Sequence, residues 1–225
     1  MKAIIFDAST LISLSMNGLL DVLRKLKQNF NGKFLITADV KREAIDKPLT
    51  IKRFSLEARN VQALMDEKVL EMPNSVGVKD SDISKNTQEL EDIANRTFFS
   101  SKKDIHLVDS GEVSCLVLSR LLEQKKVQSV IAVDERTTRV LCEKPQNLLK
   151  LFEKKLHTKI EMKKENLKHF QGFKFIRSAE IVYVAYKKGL TRLKGKEALD
   201  SLLYALRFKG CSISSKEIDE MKALG

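Results

Sequence analysis

Acidic side chains at the ends of apolar runs are the first feature of this sequence that could do chemistry. Three short β-type runs stop directly at an aspartate: Ala3-Ile4-Ile5-Phe6 at Asp7, His106-Leu107-Val108 at Asp109, and Val130-Ile131-Ala132-Val133 at Asp134. In an open parallel sheet, ligands bind beyond the carboxyl ends of the strands, so parallel strands would set all three carboxylates along one edge. Glu43 falls one turn into the helix expected after a further run, Phe34-Leu35-Ile36, and could reach the same edge. Four such acids with no paired lysine or arginine would repel one another by several kcal/mol in a partly buried site. A hard divalent cation removes that penalty, and Mg²⁺ or Mn²⁺ matches an oxygen-only donor set. The chemistry this opens is metal-assisted attack on a phosphodiester held by the basic remainder of the chain.

Each acid also has a plainer reading. Asp109-x-x-Glu112 has the spacing of a helix capping box, and Asp7 and Asp134 could cap the helices that follow their strands. Glu43 could be one exposed acid in the charged run Lys41-Arg42-Glu43-Ala44-Ile45-Asp46. Capping alone does not explain three strand-terminal aspartates, because serine or threonine would serve without mutual repulsion.

The elements that must position these acids alternate along the chain. Leu11–Leu26, the stretch after Asp39, Val113–Leu121 and the segment from Glu135 carry helical spacing between the strand-like runs, and Phe173-Lys174-Phe175-Ile176 reads as a fifth strand. Strands separated by helices predict an α/β fold with a mainly parallel sheet and crossover helices. Two stretches break the rhythm. Residues 46–105 predict a helix around Leu56–Leu70, a polar loop from Pro73 to about Asn86 and a helix near Glu89–Arg96; residues 143–172 are Lys-rich with a patchy helical face. Ile181–Tyr186 fits strand by composition and helix by its run into Lys187-Lys188-Gly189. In the tail, Leu199, Leu202, Leu203 and Leu206 form one helical stripe, Gly210 ends it, and Ser214-x-x-Glu217 predicts a capped last helix.

Composition narrows the function classes. The chain has 225 residues, 43% hydrophobic and 32% charged, the balance of a globular protein. No apolar run approaches the ~20 residues of a membrane helix, and Asp7 cuts the first apolar run too early for a secretion signal. Three scattered cysteines and three scattered histidines predict neither a disulfide framework nor a zinc ribbon, and place the protein in a reducing cytoplasm. A dinucleotide-binding fold is excluded because no Gly-x-Gly-x-x-Gly follows the first strand. The net charge is +11, of which residues 144–225 carry +10, with 19 basic against 9 acidic side chains. That asymmetry predicts a polyanionic partner for the last third.

Taken in order, Ile4-Ile5-Phe6-Asp7-Ala8-Ser9, Ile36-Thr37-Ala38-Asp39-Val40-x-x-Glu43, Asp109-Ser110-Gly111-Glu112 and Ala132-Val133-Asp134-Glu135 with Arg139 resemble the PIN-domain nucleases. The resemblance covers most of the chain outside residues 46–105 and 143–172, which read as insertions. It implies a three-layer α/β/α sandwich over about residues 1–190, with residues 191–225 as a helical extension. It also implies a Mg²⁺- or Mn²⁺-dependent endoribonuclease centre of Asp7, Glu43, Asp109 and Asp134, with Ser9 supporting Asp7 from behind. Two departures stand out: Asp109 and Glu112 compete for the third ligand position, and Glu135 replaces the second of the paired aspartates many members carry. Many members are toxins restrained by an antitoxin protein and many form homodimers, so the resemblance admits both partners besides RNA.

Two other readings compete. Asp7-Ala8-Ser9-Thr10-Leu11 is similar to the opening of haloacid-dehalogenase-type phosphatases, but Ser9 stands where their second aspartate belongs. A non-catalytic RNA- or protein-binding module on the same scaffold would use the acids structurally. Tyr183, Tyr186 and Tyr204 read as packing residues, although each could stack on a base. For RNA holding, Lys154, Lys155, Lys163 and Lys164 are the first candidates, with Arg192, Lys194 and Lys196 next. Replacing the four insertion lysines by glutamine should weaken RNA binding and flatten its salt dependence by up to about four phosphate contacts, roughly 0.7 in log–log slope for each. Titration of RNA at several salt concentrations measures this, and an unchanged slope would make the segment ordinary solvated surface.

Overall fold

The computed structural model describes residues 1–101 and 103–224, with the backbone alone at Lys196. In chain order the elements are β1 (Lys2–Phe6), α1 (Ala8–Met16), α2 (Leu20–Asn29), β2 (Gly32–Leu35), α3 (Ala38–Lys41), a π-helical turn Arg42–Asp46, α4 (Lys47–Leu49) and α5 (Ser55–Asp66). There follow α6 (Asp80–Asn95), β3 (Phe98–Ser100), β4 (Lys103–Asp104), α7 (Ser110–Gln124), β5 (Gln128–Ala132), α8 (Arg136–Glu143) and α9 (Pro145–Leu156). The chain closes with β6 (Glu161–Met162), β7 (Phe175–Ile176), α10 (Ser178–Lys187), α11 (Lys196–Phe208) and α12 (Ser215–Ala223).

Strands β2, β1, β5 and β7 form one sheet in that order, all parallel. Ile4 lies opposite Phe34 on one side and Val130 on the other, and Phe6 opposite Ala132. Parallel strands need crossover connections, and the helices that make them cover both faces. Helix α7 lies on β1 and β5, while α1, α2 and α10 contact one another, α2 against β2 and α10 against β7. The fold is therefore an α/β sandwich in three layers. Ile5, Phe6, Phe34, Leu35, Ile131 and Ala132 are buried between the layers, with Leu11, Leu14, Leu23, Leu116 and Val182 from the helices. No helix among the described residues is long and apolar enough to cross a membrane.

The run His106-Leu107-Val108 is the main departure from the sequence reading. It joins no strand of either sheet. Asn95 holds it instead: its Oδ1 accepts from the N–H groups of Leu107 (2.6 Å) and Val108 (3.1 Å), and its Nδ2 donates to the Val108 carbonyl (3.1 Å). One side chain thus satisfies the backbone that a neighbouring strand would otherwise pair. The polar stretch after Pro73 also differs, since α6 already begins at Asp80. Ile181–Tyr186 lies within α10, as the helical alternative has it.

The two stretches that break the α/β rhythm meet in space. β3, from the first, pairs antiparallel with β4 and with β6, which comes from the second, placing Phe98 opposite Met162. The tail docks through α11, whose Leu199, Leu202, Leu203 and Leu206 are all buried, and ends at Gly210 with φ 114°, a backbone geometry that favours glycine. Ser214 then caps α12: its Oγ accepts from Glu217 N–H (3.2 Å), while Glu217 accepts from Ser214 N–H (2.8 Å).

A single buried cation locks this tail to the sheet. Arg177, directly after β7, donates to Glu180, to Glu217 (2.7 Å) and to the Ser212 carbonyl (2.9 Å). Although burial opposes it, hydrogen bonds from Ser214 and from Arg177 hold the Glu217 carboxyl down at about 2. Because the folded value is depressed, this hold is complete above the ordinary value of 4.5 and is lost as pH falls towards 2. Hydrogen exchange should show α12 opening ahead of the central sheet on acidification between these values, and Glu217→Gln should open it already at neutral pH.

Candidate metal centre

Asp7 is the first residue beyond β1, and the parallel register brings the exit of β5 beside it: Asp7 N–H donates to the Ala132 carbonyl at 2.9 Å. Its side chain caps α1, with Oδ2 accepting from Ser9 N–H (3.0 Å) and from the Ser9 hydroxyl. The Ser9 oxygen in turn accepts from Asp134 N–H at 3.1 Å, so one hydroxyl joins the ends of the two central strands. The other oxygen, Oδ1, is buried and has no partner. Burial pushes the Asp7 carboxyl up, against the hydrogen bonds of Ser9.

Glu43 comes from the π-helical turn and feels the charge of Asp7. Pro48 lacks the N–H that would bond the Ala44 carbonyl, and its ring crowds that carbonyl. The turn before it widens, and Lys47 N–H reaches back five residues to the Arg42 carbonyl. Such single π turns recur at functional sites. The Glu43 carboxylate lies over Gly111, where a Cβ would sit 2.4 Å from Oε2 and would displace the carboxylate. Burial raises the Glu43 carboxyl, followed by the charges of Asp7, Asp109 and Asp39.

Glu112 stands in the first turn of α7, with Oε2 accepting from Asp109 N–H at 3.3 Å. Burial, then the charges of Asp7 and Glu135, push it up to about 9. Glu135 caps α8, accepting from Thr137 N–H and from Thr138 N–H (3.3 Å) and bonding the Thr137 hydroxyl (2.8 Å). Asp7 lies within electrostatic reach of Glu43, Glu112 and Glu135, and no ion pair links any of the four to a cation among the described residues.

The acids singled out in the sequence are therefore divided. The charge of Asp7 acts on both Glu43 and Glu112. Asp109 stays at the rim, its side chain 77% exposed and 2.9 Å from His106 Nε2. Asp134 shares the carboxyl edge but turns into the protein, where it accepts from Ser178 N–H (2.7 Å), the Ser178 hydroxyl (2.6 Å) and the Thr10 hydroxyl (3.4 Å). It is fully buried and holds the start of α10. Glu135 takes the outward place beside it, and the Asp134-Glu135 pair was the sequence signal for that exchange.

The fit of this centre to a hard cation rests on an orphaned buried oxygen and uncompensated carboxylates, which is the donor chemistry of Mg²⁺ or Mn²⁺. The side chains do not already form a clasp: among the described residues no three of His, Cys, Asp and Glu form a group that could hold a metal ion. Of the basic candidates, Lys154, Lys155, Lys164 and Lys194 are exposed, Lys163 lies 5.5 Å over the Phe99 ring, and Arg192 pairs with Asp21 at 2.6 Å. The side chain of Lys196 lies outside the described residues.

A glutamate with a folded value near 9 binds its proton more tightly than the unfolded chain does, whose value is 4.5. Between those values the folded state holds more protons, so stability falls as pH rises. In EDTA, the melting temperature should drop from about pH 6 to about pH 8 beyond the drop of a Glu112→Gln variant. Mn²⁺ should raise it more at the higher pH, where the carboxylates are free to take the ion. The chain matches no protein-family model, no curated protein and no solved structure, so its likeness to the PIN-domain nucleases stands on the residues themselves.

Proposed function

We propose that this protein is a metal-dependent endoribonuclease, hydrolysing RNA at the acidic edge formed by Asp7, Glu43, Glu112 and Glu135. The observation that carries the reading is Asp7: a buried carboxylate with one oxygen unpartnered, under the charge of further acids and, among the described residues, paired with no cation. Such a centre is electrostatically incomplete, and a divalent cation is the simplest group that completes it. When bound, Mg²⁺ or Mn²⁺ supplies Lewis acidity towards a phosphodiester and a water acidic enough to attack it near neutral pH.

The chain's own residues divide the remaining tasks. Asp7 offers Oδ1 as the central ligand, and Ser9 holds its other oxygen so that the carboxylate cannot rotate away. Glu43 and Glu135 flank it from different elements. Glu112, whose carboxyl favours the protonated form near neutral pH, is suited to give its proton to the leaving oxygen. Asp134 positions α10 and holds no ligand place in this arrangement, and Asp109 serves the rim. RNA is the substrate favoured by the resemblance and by the basic last third; an antitoxin-like protein and a second copy are further partners within the same reading. A second reading, a binding module without catalysis, is favoured by the capping roles of Glu112 and Glu135 and by the missing ready-made clasp.

Incubation with mixed single-stranded RNAs in Mg²⁺, Mn²⁺ or EDTA separates the two. Cleavage should appear only with metal, and Ser9→Ala should slow it by ~10–100-fold, as changes behind a metal ligand do. Asp7→Asn should cost more. Asp7→Asn cutting at the wild-type rate would overturn the nuclease reading, and metal-independent binding without cleavage would establish the module.

A further inference from the structure

The outer face of α11 carries an aromatic residue that the core does not use. Phe208 is 76% exposed, while the buried stripe of the same helix ends at Leu206. The Phe208 ring stacks on Tyr204, with centroids 6.1 Å apart and planes 30° from parallel. Arg207 lies 5.7 Å over the Tyr204 ring and donates to the Ser215 hydroxyl, and the exposed Lys209 follows.

Through Arg207 and Ser215 this platform adjoins a cleft that Arg136, the residue after Glu135, also lines. Between α8, β7 and the start of α12 lies a cleft of about 660 Å³, lined among others by Arg136, Arg139, Arg177, Ser212 and Ser214. Its size is that of a small-ligand site. Arg177 is neutralised by Glu180 and Glu217, whereas Arg139, with no carboxylate partner among the described residues, donates to the Ser212 carbonyl (3.3 Å) and hydroxyl (3.0 Å). Arg136, exposed, directly follows Glu135. From Ser212, which Arg139 holds, to Ser215, which Arg207 holds, is a span of at most about 10 Å of chain. Guanidinium groups, hydroxyls and then stacked rings therefore follow one another from Glu135 to Phe208.

We propose that Tyr204 and Phe208 form a stacking platform for a base of single-stranded nucleic acid, whose backbone crosses the cleft past Arg136 and Arg139. The direction of the strand rests on the nuclease reading; the platform itself does not require cleavage. Every base offers a π-face, so an exposed ring flanked by cations binds without sequence preference. Glu143 also lines the cleft, so its total charge is balanced. The cleft contributes local contacts to phosphates, and the ring contributes the stacking. A second copy of the chain fits the platform poorly, since Arg207 and Lys209 would meet their own like charges.

The chain contains no tryptophan, so Phe208→Trp places a lone reporter on the platform. In EDTA, a 2′-O-methyl oligouridylate of about a dozen residues should quench its fluorescence saturably. The same oligonucleotide should bind Phe208→Ala about tenfold more weakly than wild type, with Phe208→Trp retaining wild-type affinity. A duplex containing that strand should not quench, because its bases are already stacked. Wild-type affinity in Phe208→Ala, or a Phe208→Trp signal that ignores the oligonucleotide, would overturn the proposal. So would a change of oligomeric state in Phe208→Ala with oligonucleotide affinity unchanged, which would make the platform a protein interface. Quenching in EDTA with no cleavage in Mn²⁺ supports the platform and removes the nuclease reading alone.

Discussion

The hydroxyl of Ser9 ties together the parts on which the rest of the site depends. It donates to Asp7, just past β1, and accepts from the backbone of Asp134, just past β5. Two neighbouring parallel strands end at the same edge in any such sheet, but their exits diverge into separate helices. A small residue that both donates and accepts, two places after the first aspartate, pins the exits together. It also fixes one carboxylate oxygen of Asp7 and leaves the other buried without a partner.

Hydrogen-bond supply then decides what each acid does. Asp134 is buried and surrounded by donors from Ser178 and Thr10, so its carboxylate is satisfied within the protein and serves as an anchor. Asp7 is equally buried but half satisfied, and Glu43 and Glu112 gain more repulsion than hydrogen bonding. Burying charge without a partner is costly, so these acids lower the stability of the fold unless something compensates their charge. Gly111 belongs to the same arrangement, since any larger residue would displace the Glu43 carboxylate.

The parts outside the central sheet are less independent than their composition suggests. The two stretches that interrupt the α/β alternation complete one small antiparallel sheet, so neither is a free-standing insertion. The tail is held at β7 by Arg177, whose guanidinium reaches Glu180, Glu217 and the Ser212 carbonyl. That contact sets the wall of the cleft beside the acidic edge, and with it the place of α11 and its exposed ring.

Much of this was legible in the residues. The runs ending at Asp7 and Asp134, the helical stripes and the Ser214–Glu217 box each follow from local rules of periodicity and capping, and these elements stand where those rules place them. The run before Asp109 obeys the same pattern and is no strand, because Asn95, remote in sequence, supplies its hydrogen bonds. The direction in which an acid faces was likewise not local. Asp134 turns inward because Ser178, 44 residues on, offers two donors, and Glu135 remains at the edge in its place. The sequence by itself determined the α/β alternation, the carboxyl edge and the identity of the acids near it, since short-range propensity and strand direction suffice for these. Only the tertiary structure decided which of them keep a bare oxygen, because that depends on donors brought in from distant parts of the chain.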